Sequence, residues 1–253
     1  MLLGVLQGAT EFLPVSSSAH LVIFSSLLQV PSTGLVLEIA LHLGTLVSVV
    51  IYFRRDLWGW VAGFTRPGPQ GVAARREVGL IAVATLPALL AALAFGDNVA
   101  RAFDDVTFTG AMLLVTTAVL VSSRWSPQGQ EARLGVRHAL IIGVAQSFAL
   151  LPGISRAGIT IVAGLWLGLG GVAAARFAFL LAIPAILGAG VYSLLDLGEL
   201  EAGPVAGLWL GFLAAALVGY GVIGWLMRVL QRKRLHFFAG YTFLLGLVVI
   251  FWL

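Results

Sequence analysis

Cysteine is absent from this 253-residue chain, and charged residues make up only 10% of it. The first absence excludes a disulfide framework, a thiolate metal site and a cysteine nucleophile. The second excludes an ordinary soluble domain, in which about a quarter of the residues are charged. Disorder is excluded as well, because 60% of the residues are hydrophobic and the mean hydropathy is +1.02. The bilayer is therefore the expected solvent. A transmembrane helix needs ~20 apolar residues, so the length accommodates roughly six to eight membrane elements, read as one domain over residues 1–253. A formal net charge of +4 points to cytoplasmic loops rather than to a nucleic-acid partner. The chain starts almost inside an apolar stretch, without a charged n-region or a small-residue cleavage site, so no secretory signal is expected.

Six apolar runs read as crossings: Leu37 to Phe53, Val78 to Phe95, Val106 to Ser122, Phe177 to Leu195, Val205 to Met227 and Phe237 to Leu253. Leu57 to Arg76, which mixes Trp58 and Trp60 with Pro67, Gly68 and Pro69, reads as an interfacial stretch and loop. Two further stretches are apolar yet broken by a polar, proline-containing cluster. Leu2 to Leu28 is interrupted by Glu11, Pro14, Ser16, Ser17, Ser18 and His20, and Leu134 to Leu169 by Pro152, Ser155, Arg156 and Thr160. Each half is too short to span at ~1.5 Å per residue. Two half-helices meeting at a polar turn describe a re-entrant hairpin, which is tolerated at membrane depth only inside protein or beside a water-filled cavity. The plainer alternative is a kinked full span with its polar groups turned into the bundle.

Charge placement orients the scheme. In this layout 13 of the 15 basic residues, from Arg54 and Arg55 through Arg133 to Arg232, Lys233 and Arg234, fall on one side, which the positive-inside rule makes cytoplasmic. Seven of the 11 acids, Glu38, Asp97, Asp104, Asp105, Asp196, Glu199 and Glu201, fall on the other side. Glu11 and Arg156 have no loop to occupy. The first hairpin then enters from outside and the second from the cytoplasm, each followed by three spans, which makes an inverted-topology repeat of about residues 1–125 and 134–253. Shared residues support it: Gly4, Val5, Gln7, Leu13, Pro14, Ser17 and Ala19 resemble Gly143, Val144, Gln146, Leu151, Pro152, Ser155 and Ala157. The expected fold is thus an all-α integral membrane protein with six transmembrane helices and two re-entrant helix hairpins. Repeats of this kind bring broken helices together near the midplane, where substrates bind.

Gln7 and Glu11 lie four residues apart and share a helix face, with Pro14 expected to end that helix. The serines that follow are preferred helix caps, and His20 comes within about a turn of Ser17. An intramembrane carboxylate is a functional hypothesis by default, and beside an oxygen-rich turn Glu11 is a candidate ligand for Mg²⁺ or Ca²⁺. In the second cluster, a helix start bearing Arg156, with the hydroxyls of Ser155 and Thr160, suits an anion. As pure structure, Arg156 and Glu11 would simply pair and hold the repeats together. Taken jointly, a carboxylate, a hydroxyl beside an imidazole and an arginine at a helix start are what phosphoryl transfer needs. A cavity within the membrane makes a lipid phosphate the expected substrate.

The segments Gln7-Gly-Ala-Thr-Glu11-Phe-Leu-Pro-Val-Ser16-Ser17-Ser-Ala-His20, Leu41-His-Leu-Gly44-Thr45-Leu, Leu151-Pro-Gly-Ile-Ser155-Arg156-Ala-Gly-Ile-Thr160 and Phe177-Ala-Phe-Leu-Leu-Ala-Ile-Pro184 resemble the undecaprenyl pyrophosphate phosphatase family (BacA/UppP). The resemblance implies hydrolysis of the C55 isoprenoid pyrophosphate to its monophosphate, in the peptidoglycan carrier cycle and at the periplasmic face of the bacterial plasma membrane. It also implies dependence on a divalent cation and a link to bacitracin resistance. By this resemblance Glu11 binds metal or moves a proton, with Gln7 as an auxiliary ligand. Ser17 is the nucleophile and His20 and Arg156 are catalytic with it, while Ser16, a neighbouring motif serine, binds phosphate together with Ser155, Arg156 and Thr160. Many members carry Glu where this chain has Gln7, which keeps an oxygen ligand but no charge. Ala19 and Ala157 are milder departures, standing where Gly and Ser are common.

The expected route has Ser17 attack the terminal phosphorus with His20 carrying the proton, or else His20 activates water. The expected partners are the polyisoprenyl pyrophosphate lipid and the bilayer, with a homodimer as an option. The competing function is a transporter that flips the carrier lipid, alone or in addition; a structural scaffold would leave the midplane charges without a purpose.

Overall fold

Hydrocarbon offers no partner to a bare peptide group, so a chain this apolar satisfies its backbone within helices. The computed structural model describes residues 1–27, 35–127, 134–195, 205–231 and 235–253, and among them there is no strand. Its α-helices are α1 (Leu2–Thr10), α2 (Ser17–Leu27), α3 (Leu35–Tyr52), α4 (Arg54–Phe64), α5 (Pro69–Phe103), α6 (Val106–Ser122), α7 (Val136–Phe148), α8 (Arg156–Trp166), α9 (Gly171–Leu195), α10 (Val205–Gln231) and α11 (Phe238–Trp252). Helices α5, α6, α9, α10 and α11 are each long and apolar enough to cross a membrane, and α3 with α4, bent by 71° at their junction, brings the number to six if the pair is one broken span. The protein is an all-helical, multi-pass integral membrane protein. The loop charges Arg133, Asp196, Glu199, Glu201, Arg232, Lys233 and Arg234 lie outside the described residues.

Local chemistry explains the ends. Asp105 caps α6 by accepting from the Phe108 N–H at 2.8 Å. Gly68, at φ 87°, turns the chain into α5, and Pro69 occupies a first-turn position whose N–H would have no partner in any case. The expectation of an interfacial stretch and loop over Leu57 to Arg76 is corrected in the extent of its loop: this stretch contains most of α4, a short turn and the start of α5. At roughly 1.5 Å per residue the 35-residue α5 is longer than the ~30 Å hydrocarbon layer. Its ends, with Arg75, Arg76 and Glu77 on one side and Asp97, Asn98 and Arg101 on the other, therefore reach beyond the expected span Val78 to Phe95.

A second correction concerns α1. The helix stops at Thr10, with Glu11 as its C-cap, rather than at Pro14. Proline disfavours a helical conformation at the residue before it and has no N–H to give. The chain therefore leaves the helix earlier and passes through tight turns, where the Val15 N–H donates to the Leu13 carbonyl at 2.8 Å.

Packing rests on small residues, as in bilayers, where close backbone approach replaces the hydrophobic drive. Helix α1 lies on α10 with Gly4 against the Gly211 carbonyl, and α7 lies on α5 with Gly143 against the Ala84 carbonyl; a Cβ at either glycine would collide with that carbonyl. Helices α6 and α11 meet through Gly110 and Gly246, with Thr117 and Thr242 sharing a 2.8 Å hydroxyl bond. Leu93, Leu217, Leu244 and Phe251 remain exposed on the outside, as suits a lipid-facing surface. At one end of the bundle Arg176 of α9 bonds Asp56 of α4 at 2.7 Å and Glu77 of α5 at 2.7 Å, and Trp60 donates to Glu77 at 2.7 Å. The two helix-turn-helix units, α1–α2 and α7–α8, sit within this frame with their turns against each other.

Candidate active site

The site grows from the C-terminal end of α1. Gln7 and Glu11 share one face, as their spacing requires, and Gln7 Nε2 donates to Glu11 Oε2 at 2.9 Å. The turn that follows ends at Ser16, which has φ 66°, a left-handed conformation that a non-glycine residue holds only when its surroundings impose it. Ser16 Oγ accepts from the Ala19 N–H at 3.3 Å and so caps α2. This reversal places Ser17, the first residue of α2, back over the end of α1, where its hydroxyl donates to Glu11 Oε2 at 2.6 Å.

The second turn is gripped from the side. Thr116 of α6 donates to the Gly153 carbonyl at 2.8 Å and accepts from the Ser155 N–H at 3.0 Å. Gly153 has φ 96°, and a Cβ there would collide with the Thr109 carbonyl and with Met112, so glycine is required twice over. Ser155 caps α8 by accepting from the Gly158 N–H at 3.1 Å. The two turns touch: the Gly153 N–H reaches Ser18 Oγ at 3.4 Å, and Ser155 Oγ lies 3.5 Å from the Leu13 carbonyl. Arg156, the first residue of α8, thereby reaches across to Glu11 Oε1 at 2.5 Å.

Of the residues expected at the site, the structure joins Gln7, Glu11, Ser17 and Arg156 in one hydrogen-bonded group. Ser16 and Ser155 stand beside it as helix caps. Thr160 turns its hydroxyl onto the Arg156 carbonyl of its own helix at 2.7 Å. Both ring nitrogens of His20 are engaged away from Ser17. Its Nδ1–H donates to the Ser16 carbonyl at 2.7 Å, and its Nε2 meets the Tyr241 hydroxyl of α11 at 2.7 Å, with the two rings stacked at a 5.7 Å centroid distance. It braces the turn. A different imidazole approaches the carboxylate: His42 of α3, with Nε2 3.8 Å from Glu11 Oε2. Sequence reading gave His42 no role, although an ionisable group within the apolar run Leu37 to Phe53 was a signal that could have singled it out. Thr116 and Tyr241 carried no comparable signal.

Two buried polar atoms at the site have no protein partner, Gln7 Oε1 and Arg156 Nη1. An acceptor and a charged donor left open beside one carboxylate are the pattern of a group that binds both a cation and an anion. For the anion, Arg156 Nη1 and the starts of α2 and α8 supply donors. For a cation, Glu11 and Gln7 Oε1 offer two oxygen ligands, and the described residues contain no cluster of three His, Cys, Asp or Glu side chains. That donor set fits a hard divalent ion that keeps waters and substrate phosphates as its remaining ligands, as Mg²⁺ does. A carboxylate 2.6 Å from a hydroxyl can also accept its proton.

Residues 1–248 match the family described as "Bacitracin resistance protein BacA". The chain belongs to this family. It is 42% identical over 266 aligned residues to an undecaprenyl-diphosphatase of Thermomicrobium roseum, covering 98% of this chain and 95% of that one. It is 40% identical to an undecaprenyl-diphosphatase of Alcanivorax borkumensis, covering 100% and 97%. A third, from Methanosphaera stadtmanae, is 37% identical over 99% and 95%. In this BacA-family chain the joined group of Gln7, Glu11, Ser17 and Arg156 comes from the two segments that carry the resemblance most densely.

Proposed function

We propose that this protein is an undecaprenyl-diphosphatase, hydrolysing undecaprenyl diphosphate to undecaprenyl phosphate and inorganic phosphate. The observation that carries the reading is the contact of Ser17 with Glu11, and of Glu11 with Arg156, where two polar turns meet inside an apolar bundle. The relatives' names supply the substrate. Its polyprenyl tail stays in the lipid while the diphosphate enters between the starts of α2 and α8. Arg156, with its open Nη1, grips the phosphate oxygens, and the Ser155 helix start adds backbone dipole.

Ser17 Oγ attacks the terminal phosphorus as its proton passes to Glu11. The bond from that phosphorus to the bridging oxygen breaks, and undecaprenyl phosphate leaves. Water then cleaves the phosphoserine, releasing inorganic phosphate and restoring Ser17. His20, tied to the Ser16 carbonyl and Tyr241, holds the strained turn that aims Ser17. Glu11 and Gln7 Oε1 hold a divalent cation, Mg²⁺ or Ca²⁺, which when bound offsets the negative charge of the diphosphate. The α1–α2 and α7–α8 units are read as re-entrant hairpins of an inverted repeat, since α1 packs on α10 of the other half while α7 packs on α5. The basic residues face the cytoplasm and the site opens to the outside, which suits recycling of the carrier lipid for cell-wall synthesis.

The test is phosphate release from undecaprenyl diphosphate by the detergent-solubilised chain. Wild type releases phosphate; Glu11→Ala and Arg156→Ala do not. Full activity in Ser17→Ala sinks the serine route, and trapping of a phosphoserine at position 17 supports it.

A further inference from the structure

His42 stands beside the carboxylate with no part in the serine chemistry. Its Nδ1 faces the Glu38 carbonyl at 2.9 Å, and a carbonyl only accepts, so Nδ1 carries a proton, and in the neutral ring that leaves the lone pair on Nε2. That lone pair lies 3.8 Å from Glu11 Oε2, beyond hydrogen-bond reach. Two acceptors facing each other across such a gap gain nothing unless an electron-pair acceptor comes between them. A third acceptor, Gln7 Oε1, belongs to an amide whose nitrogen already bonds the same carboxylate oxygen, and it is buried without a partner. The chain has four histidines. At this site only His42 has a ring nitrogen free, since both nitrogens of His20 are taken.

We propose that His42 Nε2 is a protein ligand of the divalent cation, completing with Glu11 and Gln7 Oε1 a mixed oxygen and nitrogen set. This rests on the reading of the site as one that works with a cation. Arg156 already neutralises the single carboxylate, so the protein ligands bring little net charge, and the imidazole adds affinity through its lone pair instead. A nitrogen ligand shifts preference away from Ca²⁺ and towards metals such as Mn²⁺ and Zn²⁺, which accept imidazole readily. His42 is partly exposed, so an ion can reach it without unfolding α3.

The experiment loads the solubilised full chain with Mn²⁺ and inorganic pyrophosphate and reads imidazole nitrogen coupling by electron spin-echo envelope modulation, alongside Mn²⁺ and Ca²⁺ affinities. Nitrogen coupling is expected in wild type and in His20→Ala, and is lost in His42→Ala and His42→Gln. The His42 variants weaken Mn²⁺ binding about tenfold or more and Ca²⁺ binding less than about threefold. His42→Gln keeps side-chain size and polarity, so it reports on ligation even if the alanine variant fails to fold. Absence of nitrogen coupling in wild type, its survival in both His42 variants, or an equal loss of Mn²⁺ and Ca²⁺ affinity overturns the proposal. Phosphate release by wild type with Mg²⁺ is measured separately, so a failure of the phosphatase reading is a distinct result.

Discussion

The turn between α1 and α2 and the turn between α7 and α8 share a plan and divide the labour. Each follows a helix whose glycine lies against a carbonyl of a helix distant in the chain, Gly4 on Gly211 and Gly143 on Ala84. Each passes a proline and ends in a serine that caps the next helix. The first carries the carboxylate and hydroxyl and holds its strain in Ser16; the second carries the arginine and relieves its left-handed step with Gly153. The glutamines show the divergence most sharply. Gln7 has Glu11 one turn on and bonds it, whereas Gln146 has Leu150, and both atoms of its buried amide lack a partner. The first turn thus carries the carboxylate and hydroxyl of the proposed chemistry, and the second brings one cationic group to them.

The strongest way to break that division is at the carboxylate. Glu11→Gln keeps the shape but takes no proton, and phosphate release is expected to fall by ~10²–10⁴-fold, the usual worth of a positioned base. Arg156→Lys keeps the charge and loses the fork, so activity should drop by about 10²-fold or more in a phosphate-release assay. Gly153→Ala attacks the second turn itself: its strained φ and the collision with Thr109 should destabilise the fold by ~1–3 kcal/mol, seen as a lowered Tm. The smallest effect is the most informative about the counterpart hairpin. Gln146→Met replaces an unpartnered buried amide by an apolar chain of similar size, so stability should be unchanged or higher by ~1 kcal/mol, with activity intact. The matched Gln7→Met change should lower activity. Equal losses at the two positions would mean that both hairpins work in catalysis.

Much of this was legible in the chain. The span Val106 to Ser122 matches α6 at both ends, because a bilayer turns a run of apolar residues directly into a helix and Asp105 marks its start. The shared face of Gln7 and Glu11 follows from helical spacing alone. Helix ends outside the hydrocarbon were less legible. Around Pro69 the same residues that signal a loop also open a helix, and only the neighbours of α5 decide between them. The ring partner of His20 was not legible because Tyr241 lies 221 residues away. His42 was overlooked because nothing local ties α3 to the end of α1.

Sequence by itself therefore determined that the protein lives in a membrane, how many long helices it has the material for, and that Glu11 and Arg156 are charges out of place. Those are properties of solvent and short-range spacing, which each segment carries alone. Only the tertiary structure decided that Arg156 meets Glu11, that Ser17 folds back onto the same carboxylate, that His20 bonds Ser16 and Tyr241 and that the His42 ring approaches Glu11. Such pairings depend on a few ångströms between elements far apart in the chain, and close helix crossings at Gly4 and Gly143 help set those distances.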